Sequence, residues 1–209
     1  MGKYIGPVVR LSRREGVNLQ LKGSRRGDDK LEKRLAQIPG MHGKSRRSSK
    51  MSDYGTQLRE KQKLKRIYGM MERQFRVFFD RASKKRGVTG ETLISLLESR
   101  LDNVVYRLLW AATRREARQM VNHALIFVNG RPVNIPSFIV RPGDKIEPRR
   151  KDATVKRIKD KLENCKDLQA PEWLSLDRDK LEAKVLRHPT KADAALPVEE
   201  SMIVELYSK

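Results

Sequence analysis

The chain has 209 residues, enough for one or two domains that bury a core without disulfides, and its 47 Lys and Arg against 26 Asp and Glu give a net charge of +21. No apolar run approaches the roughly 18 residues that a membrane-spanning helix needs. Residues 1–100 carry 26 basic and 10 acidic side chains, whereas residues 101–209 carry 21 and 16. This surplus favours a nucleic acid as partner over an anionic membrane, because the sequence shows neither an amphipathic helix with a bulky apolar face nor a lipidation motif.

The first fifty residues are rich in Gly, Ser, Lys and Arg and show little hydrophobic periodicity. A segment of this composition cannot bury much apolar surface by itself, so one interpretation is a disordered basic tail. The other is an arm that becomes ordered on phosphate, because scattered Arg and Gly allow a nucleic-acid backbone to come close. The sequence leaves both interpretations open.

A helix is predicted to begin after Ser52, a suitable N-cap, and to run to Gly69. Its apolar residues do not form a continuous stripe, and its cations are too numerous for one face of a helix. A solvated helix surface is the ordinary explanation for such a charge run. Beside so much other positive charge, we expect phosphate contacts instead.

A second helix is predicted over residues 71–86, where Phe75, Phe78 and Phe79 recur at helical spacing. Because these rings share one face, we expect them in the core rather than stacked on nucleobases. The basic residues 84–86 suit the last turn of this helix, and Gly87 suits a left-handed stop.

A long helix is then predicted from Thr89 to Trp110, because apolar residues recur at every third or fourth position. Thr113 and Glu116 match a capping box that would begin a further helix. Three arginines of that helix are expected to point away from the core and to grip phosphate beside a helix N-terminus, which favours anions: Arg114, Arg115 and Arg118.

The remainder of the chain predicts a small sheet. Asn129-Gly130 is a strong type I′ hairpin signal, and Pro142-Gly143 fits a type II turn within a strand over residues 137–148. Residues 152–165 predict a helix, residues 170–177 a loop anchored by Trp173, and KLEAKVLRHP and SMIVELYSK two further strands. The expected fold class is α+β: a basic N-terminal arm and an α-helical lobe, followed by a helix-turn-helix joined to a mainly antiparallel sheet.

The stretch LESRLDNVVYRLLWAATRREARQMVNHALIFVNGRPVNIPSFIVRPGDKI resembles the S4 RNA-binding domain. Its flanks, MGKYIGPVVRLSRREGVNL, PGMHGKSRRSSKMSDYGTQLREKQKLKRIYG and ALPVEESMIVELYS, resemble the bacterial-type ribosomal protein S4 family of the small subunit. The resemblance implies a cytoplasmic, non-enzymatic protein that binds 16S rRNA early and nucleates assembly of the subunit body. It also implies a contribution to translational accuracy with the neighbouring ribosomal protein S5, and a position near the mRNA entry channel.

Four segments are expected: a basic N-terminal arm (1–50), an α-helical rRNA-binding lobe (51–97), the S4 RNA-binding domain (98–162) and C-terminal loop and strands that complete the lobes (163–209). Residues of the first three are expected to contact rRNA through positive charge or, for one tyrosine, an exposed ring. They are Arg10, Arg13, Arg14, Lys22, Arg25, Arg26, Lys44, Arg46, Arg47, Lys50, Tyr54, Arg59, Lys61, Lys63, Lys65, Arg66, Arg73, Lys84, Lys85, Arg114, Arg115, Arg118 and Arg131.

No cofactor or metal is expected. Several members of the resembled family hold zinc through four N-terminal cysteines, and an ungapped alignment places other residues there in this chain: Val9, Ser12, Arg26 and Leu31. The single cysteine, Cys165, and three scattered histidines do not make up a tetrahedral site. One unpaired cysteine is also consistent with a reducing compartment such as the cytoplasm.

Two alternatives remain open at this point. Arg100-Leu101-Asp102 resembles the RLD motif of pseudouridine synthases that carry an S4 domain, so an rRNA-modifying enzyme that uses Asp102 is one alternative. The simpler interpretation of Asp102 is a polar residue in a continuous helix. The other alternative is a ribosome-associated RNA chaperone.

The missing thiolates generate a prediction about metal removal. We predict that a zinc-selective chelator, added in the presence of excess magnesium, leaves the affinity of the chain for 16S rRNA unchanged, because no thiolate is available at the family's zinc positions. Filter binding with and without chelator measures this. A chelator-dependent loss of affinity that added zinc restores would show that the chain holds a metal after all.

Overall fold

The computed structural model describes residues 4–22, 29–41, 43, 51–165 and 168–208. The chain divides into two compact units, Met1–Leu93 with Leu196–Lys209 and Ile94–Ala195. This division has two units and does not test the four segments expected from the sequence, which remain a prediction. Within the described residues, no helix is both long and apolar enough to cross a membrane.

The first unit contains helices that the sequence did not predict in its arm. They are α1 (Val8–Glu15) and α2 (Asp29–Leu35). Helix α1 ends at Gly16, whose φ of 68° is left-handed and therefore favours glycine. Leu19 and Leu31 are buried, so even this polar composition supplies a few core contacts within the described residues.

The two predicted helices that follow are confirmed as α3 (Asp53–Ile67) and α4 (Glu72–Ser83). The Ser52 side chain caps α3 by accepting a hydrogen bond from the Gly55 amide at 3.2 Å. The rings of Phe75, Phe78 and Phe79 are buried, as their spacing predicted. Residues 84–86 lie beyond the end of α4, so their expected place in its last turn was wrong.

Residues 200–208 are helical, so the prediction of SMIVELYSK as a strand was wrong. Helix α10 (Glu200–Ser208) contacts α3. Its Ile203 is buried, and the Tyr207 ring stacks on Phe79 with ring centroids 4.4 Å apart. Ile203 and Tyr207 are four residues apart, which places both on one helical face. This tertiary packing outweighs the local strand preference of the Ile-Val pair.

The long helix predicted over residues 89–110 is interrupted. It comprises α5 (Thr89–Glu98) and α6 (Leu101–Arg107), with an extended Arg100 between them. Arg100 forms a β-bridge with Ile139, and the Leu101 amide donates to the Phe138 carbonyl at 2.8 Å. The apolar stripe continues across the break, so periodicity alone could not show where backbone pairing with a distant segment replaces the helix.

The second unit continues with α7 (Arg114–Asn122) and a sheet in the order β2-β1-β3-β5-β4, in which every pairing is antiparallel. The strands are β1 (Ile126–Val128), β2 (Arg131–Pro132), β3 (Lys145–Pro148), β4 (Leu174–Asp177) and β5 (Glu182–Val185). Asn129 and Gly130 have φ of 50° and 76°, which confirms the type I′ hairpin signal. The α+β fold class is thus confirmed.

Two strand predictions need correction. The strand expected over residues 137–148 is confined to β3, at its end, and the expected loop around Trp173 includes β4, whose Ser175 pairs with Lys184. Helix α8 (Asp152–Asn164) is confirmed, and a short α9 (Lys191–Ala194) follows β5. The core between helices and sheet is apolar and includes Trp110 and Trp173, both fully buried.

Candidate nucleic-acid interface

The cations of α3 lie against carboxylates of the same unit. Lys61 and Lys65 contact the two oxygens of Glu72 at 2.6 and 2.8 Å, and Lys63 contacts Glu60. Arg59 and Arg66 both contact Glu15, at the end of α1. These five cationic side chains are between 12% and 24% exposed. Any phosphate that contacts these five side chains must therefore do so while they are paired with carboxylates of the protein.

The ion pairs change the proton affinity of Glu72. Burial by itself would raise the pKa of this carboxyl, but hydrogen bonds from Lys61, Lys65 and Tyr207, together with the Lys65 charge, lower the pKa to about 2. The Tyr207 hydroxyl donates to Glu72 at 3.0 Å. Burial and the Glu72 charge raise the pKa of Tyr207 in turn. Glu72 thus links α3, α4 and α10.

Other predicted contacts in the first unit are exposed. They are Arg10, Arg14, Lys22, Tyr54, Arg73, Lys84 and Lys85. Arg13 differs, because its Nε donates to the Gln37 carbonyl at 3.0 Å and so fastens α1 to the end of α2. The sequence prediction missed three exposed arginines on or after α4, namely Arg76, Arg81 and Arg86. Their positions off the Phe75 and Phe79 face were visible in the sequence.

Six predicted contacts lie outside the described residues: Arg25, Arg26, Lys44, Arg46, Arg47 and Lys50. In the second unit, Arg131 is exposed in β2, directly after the hairpin turn.

The three arginines of α7 do not all point away from the core, contrary to the prediction. The guanidinium carbon of Arg114 lies 4.4 Å from the centroid of the Tyr106 ring, and its Nε donates to Asn103 Oδ1 at 2.9 Å. The Arg118 side chain is 12% exposed and lies 3.8 Å from Asp102. Of the three, only Arg115 is exposed, whereas the other two are partly buried. Packing against α6 therefore orients two of these guanidiniums.

The N-terminus of α7 already holds a carboxylate. Thr113 Oγ1 accepts from the Glu116 amide at 3.1 Å, and Glu116 Oε2 accepts from the Ala112 amide at 2.8 Å. The predicted capping box is therefore only half formed, because Glu116 reaches the amide before the N-cap. Lys161 and Arg157 of α8 both donate to Glu116 Oε1. The expected phosphate position at this helix start is thus occupied by the protein's own anion.

Arg157 and Lys161 were missed by the sequence prediction. They are four residues apart on α8 and share a face, which was a usable signal. Burial would raise the pKa of Glu116, but the hydrogen bonds from Lys161, Ala112 and Arg157 and the Lys161 charge lower it. The pairing joins α7 to α8 across 41 to 45 residues of sequence.

Asp102 lies in the first turn of α6, not in a continuous helix as predicted. Its carboxylate accepts from Arg100 Nε at 3.0 Å and Nη2 at 2.7 Å, and from the Asn103 amide at 3.0 Å. The side chain is 7% exposed. Among the described residues, no group of three or more His, Cys, Asp and Glu side chains is arranged to hold a metal ion.

Comparisons with known proteins cover the chain from end to end. Residues 3–98 match the family model described as the ribosomal protein S4/S9 N-terminal domain, and residues 99–146 match the S4 domain. Small ribosomal subunit protein uS4 of Thermus thermophilus is 53% identical over 210 residues, and that of Natranaerobius thermophilus is 51% identical over 211. Halothermothrix orenii uS4 is 53% identical over 210 residues. Each alignment covers 100% of both chains.

The ion pairs of Glu72 generate a prediction about pH. Its folded pKa is about 2, below the ordinary value of 4.5, so its contribution to stability is present above about pH 4.5 and is lost as pH falls towards 2. We expect the free energy of unfolding of the native chain to exceed that of Glu72→Gln at pH 6, and the difference to shrink between pH 4.5 and 2. Urea unfolding at several pH values measures it. A difference that is constant over this range would contradict the assignment.

Proposed function

Because the chain belongs to the family of small ribosomal subunit protein uS4, we propose that it is a structural constituent of the small ribosomal subunit that binds 16S rRNA. The observation that carries this proposal is the alignment at about half identity over the full length of both chains. It includes the flanks as well as the S4 domain, and so separates this chain from proteins that share the domain alone. Its proposed location is accordingly the subunit in the cytoplasm.

The cationic surface supports RNA as the ligand. With a net charge of +21, the cationic side chains of the folded protein repel one another. Binding to a polyanion neutralises this charge. We propose that the basic residues predicted from the sequence contact phosphates and that Tyr54, 59% exposed, contributes a ring surface. Exposed Arg76, Arg81 and Arg86 extend this proposed set along and beyond α4. Such contacts respond to the shape of a folded RNA more than to its sequence.

The ion pairs define how phosphate would meet the α3 cations. Glu72 neutralises one charge while contacting two lysines, so the group remains positive. A phosphate can therefore approach the exposed part of such a group without removing the carboxylate. An ordered side chain also loses less conformational entropy on binding than a free one.

We propose further that the chain acts early in assembly of the subunit body and contributes to translational accuracy. The proposed partners besides 16S rRNA are the neighbouring ribosomal protein S5 and, at the entry channel, mRNA. These finer assignments rest on the family resemblance. The positive charge of the first unit is compatible with any of these RNA contacts.

We propose a non-enzymatic role. The alternative of an rRNA-modifying enzyme required Asp102 to act as a catalytic carboxylate. Its oxygens instead accept from Arg100 and the Asn103 amide, and its side chain is almost completely buried. A carboxylate held in this way is better suited to stabilising the break between α5 and α6 than to catalysing a reaction of a nucleotide.

We predict that the purified chain binds small-subunit rRNA transcripts with a steep dependence on salt. If about ten phosphates are contacted, raising the salt concentration from about 50 to 200 mM should lower the affinity by roughly a thousandfold or more.

Replacing exposed Arg115 with Ala should reduce the slope of log affinity against log salt by about one. Lys184→Ala, an exposed cation on β5 outside the proposed interface, is the matched control. Equal effects of both replacements would contradict the proposed interface.

A stoichiometric constituent and a transient RNA chaperone differ in where the chain is found. We predict that in a cell lysate the chain sediments with small subunits at one copy per particle and stays bound through gradient purification at low salt. Quantitative mass spectrometry of the gradient fractions measures the ratio. A mostly free pool, with substoichiometric amounts on purified subunits, would favour the chaperone.

A further inference from the structure

Glu15 is the last residue of α1 and the point at which α1 meets two arginines of α3. Its Oε1 accepts from Arg59 Nη1 at 3.2 Å and also from Arg66 Nη1. The Glu15 side chain is completely buried, whereas those of Arg59 and Arg66 are 24% and 21% exposed. One buried carboxylate oxygen thus holds two partly exposed guanidiniums.

This position is unfavourable for a carboxylate in two respects. The C-terminal end of a helix carries partial negative charge, which repels an anion. In addition, Glu15 Oε2 is buried and has no hydrogen-bond partner among the described residues, a loss that burial makes costly. Burial accordingly raises the pKa of Glu15, although the charges of Arg66, Arg59, Lys63 and Arg14 oppose the shift.

A raised folded pKa means that ionised Glu15 destabilises the folded unit as pH rises through that pKa. Burial of this carboxyl is therefore poorly explained by stability alone. What the carboxylate does achieve is to bring two like-charged guanidiniums to a single oxygen.

The two guanidiniums keep most of their hydrogen-bonding capacity. Within the described part of the chain, Arg59 and Arg66 each contact protein acceptors through Nη1 only. An arginine has five N–H donors in a rigid fork, so Nε and Nη2 remain available on both side chains. Forks of this kind match the spacing of phosphate oxygens.

We propose that Glu15 is a positioning residue for RNA binding: it holds Arg59 and Arg66 side by side so that their remaining donors form one preorganised phosphate site. This inference rests on the proposed rRNA binding and assigns a role to a carboxylate in it. Without Glu15, mutual repulsion separates the two guanidiniums, and phosphate binding must overcome both that repulsion and the lost side-chain entropy.

The proposal predicts an effect opposite to that of net charge. Glu15→Gln removes a negative charge beside a cationic surface, and long-range electrostatics alone would then strengthen RNA binding. Positioning predicts weaker binding instead, by about tenfold near 100 mM salt, which corresponds to the loss of one to two ordered phosphate contacts. The slope of log affinity against log salt should decrease by about one to two.

The experiment compares the full-length native chain, Glu15→Gln and Glu32→Gln for binding to a 16S rRNA transcript across a salt series. Glu32 is exposed on α2 and forms no ion pair with either arginine in the described part of the chain, so its replacement makes the same change in net charge without removing a contact to them. We expect Glu32→Gln to bind as well as the native chain or slightly better. Urea unfolding of each variant establishes that the measured molecules are folded.

A double-mutant cycle tests whether Glu15 acts through the arginines. In an Arg59→Ala/Arg66→Ala background, Glu15→Gln should cause no further loss of affinity. If Glu15→Gln does not fold, Arg59→Lys/Arg66→Lys provides the test with Glu15 intact. That variant keeps both charges but loses the planar forks, and its affinity should fall while its net charge is unchanged.

The outcomes distinguish this inference from the proposed function. Failure of the native chain to bind 16S rRNA would remove the proposed function itself. Native binding together with equal or tighter binding by folded Glu15→Gln would overturn the positioning role alone. Additive losses in the double-mutant cycle, or undiminished binding by the lysine variant, would also overturn it.

Discussion

The structure depends on a shortage of carboxylates among an excess of cations. In the described part of the chain, five carboxylates each contact two cationic side chains: Glu15, Glu72, Asp102, Glu116 and Glu182. The groups around Glu15, Glu72, Asp102 and Glu116 each keep a positive charge. The group around Glu182 is neutral, because its Lys145 also contacts Glu147. Sharing one anion between two cations reduces their mutual repulsion enough for both to lie in a folded surface, and it also fixes where their donors point. The same contacts thus serve packing and leave charge for an external polyanion.

The shared carboxylates also connect elements that are distant in sequence. Glu15 joins α1 to α3 across 44 and 51 residues, and Glu116 joins α7 to α8. The pair of Arg157 with Glu116 is partly exposed and contributes little stability, because solvent screens it. The pairs of buried Glu15 contribute little net stability because desolvation of the carboxylate offsets their attraction. Apolar contacts such as those of Phe75 and Trp173 supply the cores, while the shared carboxylates determine the direction of the cations. Stability and RNA binding consequently depend on different parts of the same helices.

Local chemistry made much of the fold predictable. The Ser52 cap, the Asn129-Gly130 hairpin and the aromatic face of α4 each involve residues within a few positions of one another, and each is confirmed. The predictions that were wrong concern segments whose structure depends on residues far away in the sequence. Arg100 leaves a helical pattern because it pairs with Ile139, and Ile203 and Tyr207 are helical through packing in the first unit. The hydrophobic pattern of a short segment does not show which distant residues that segment will contact.

The candidate interface was less predictable for the same physical reason. A run of lysines and arginines reveals the amount of positive charge but not the direction of each side chain, which depends on where the few carboxylates lie. Arg114 and Arg118 belong to one helix with Arg115, yet Tyr106, Asn103 and Asp102 draw the first two against α6. Acidic residues are therefore the more informative positions in a strongly basic chain. Because they are scarce, each one determines which cations are held in place and in which direction their donors point.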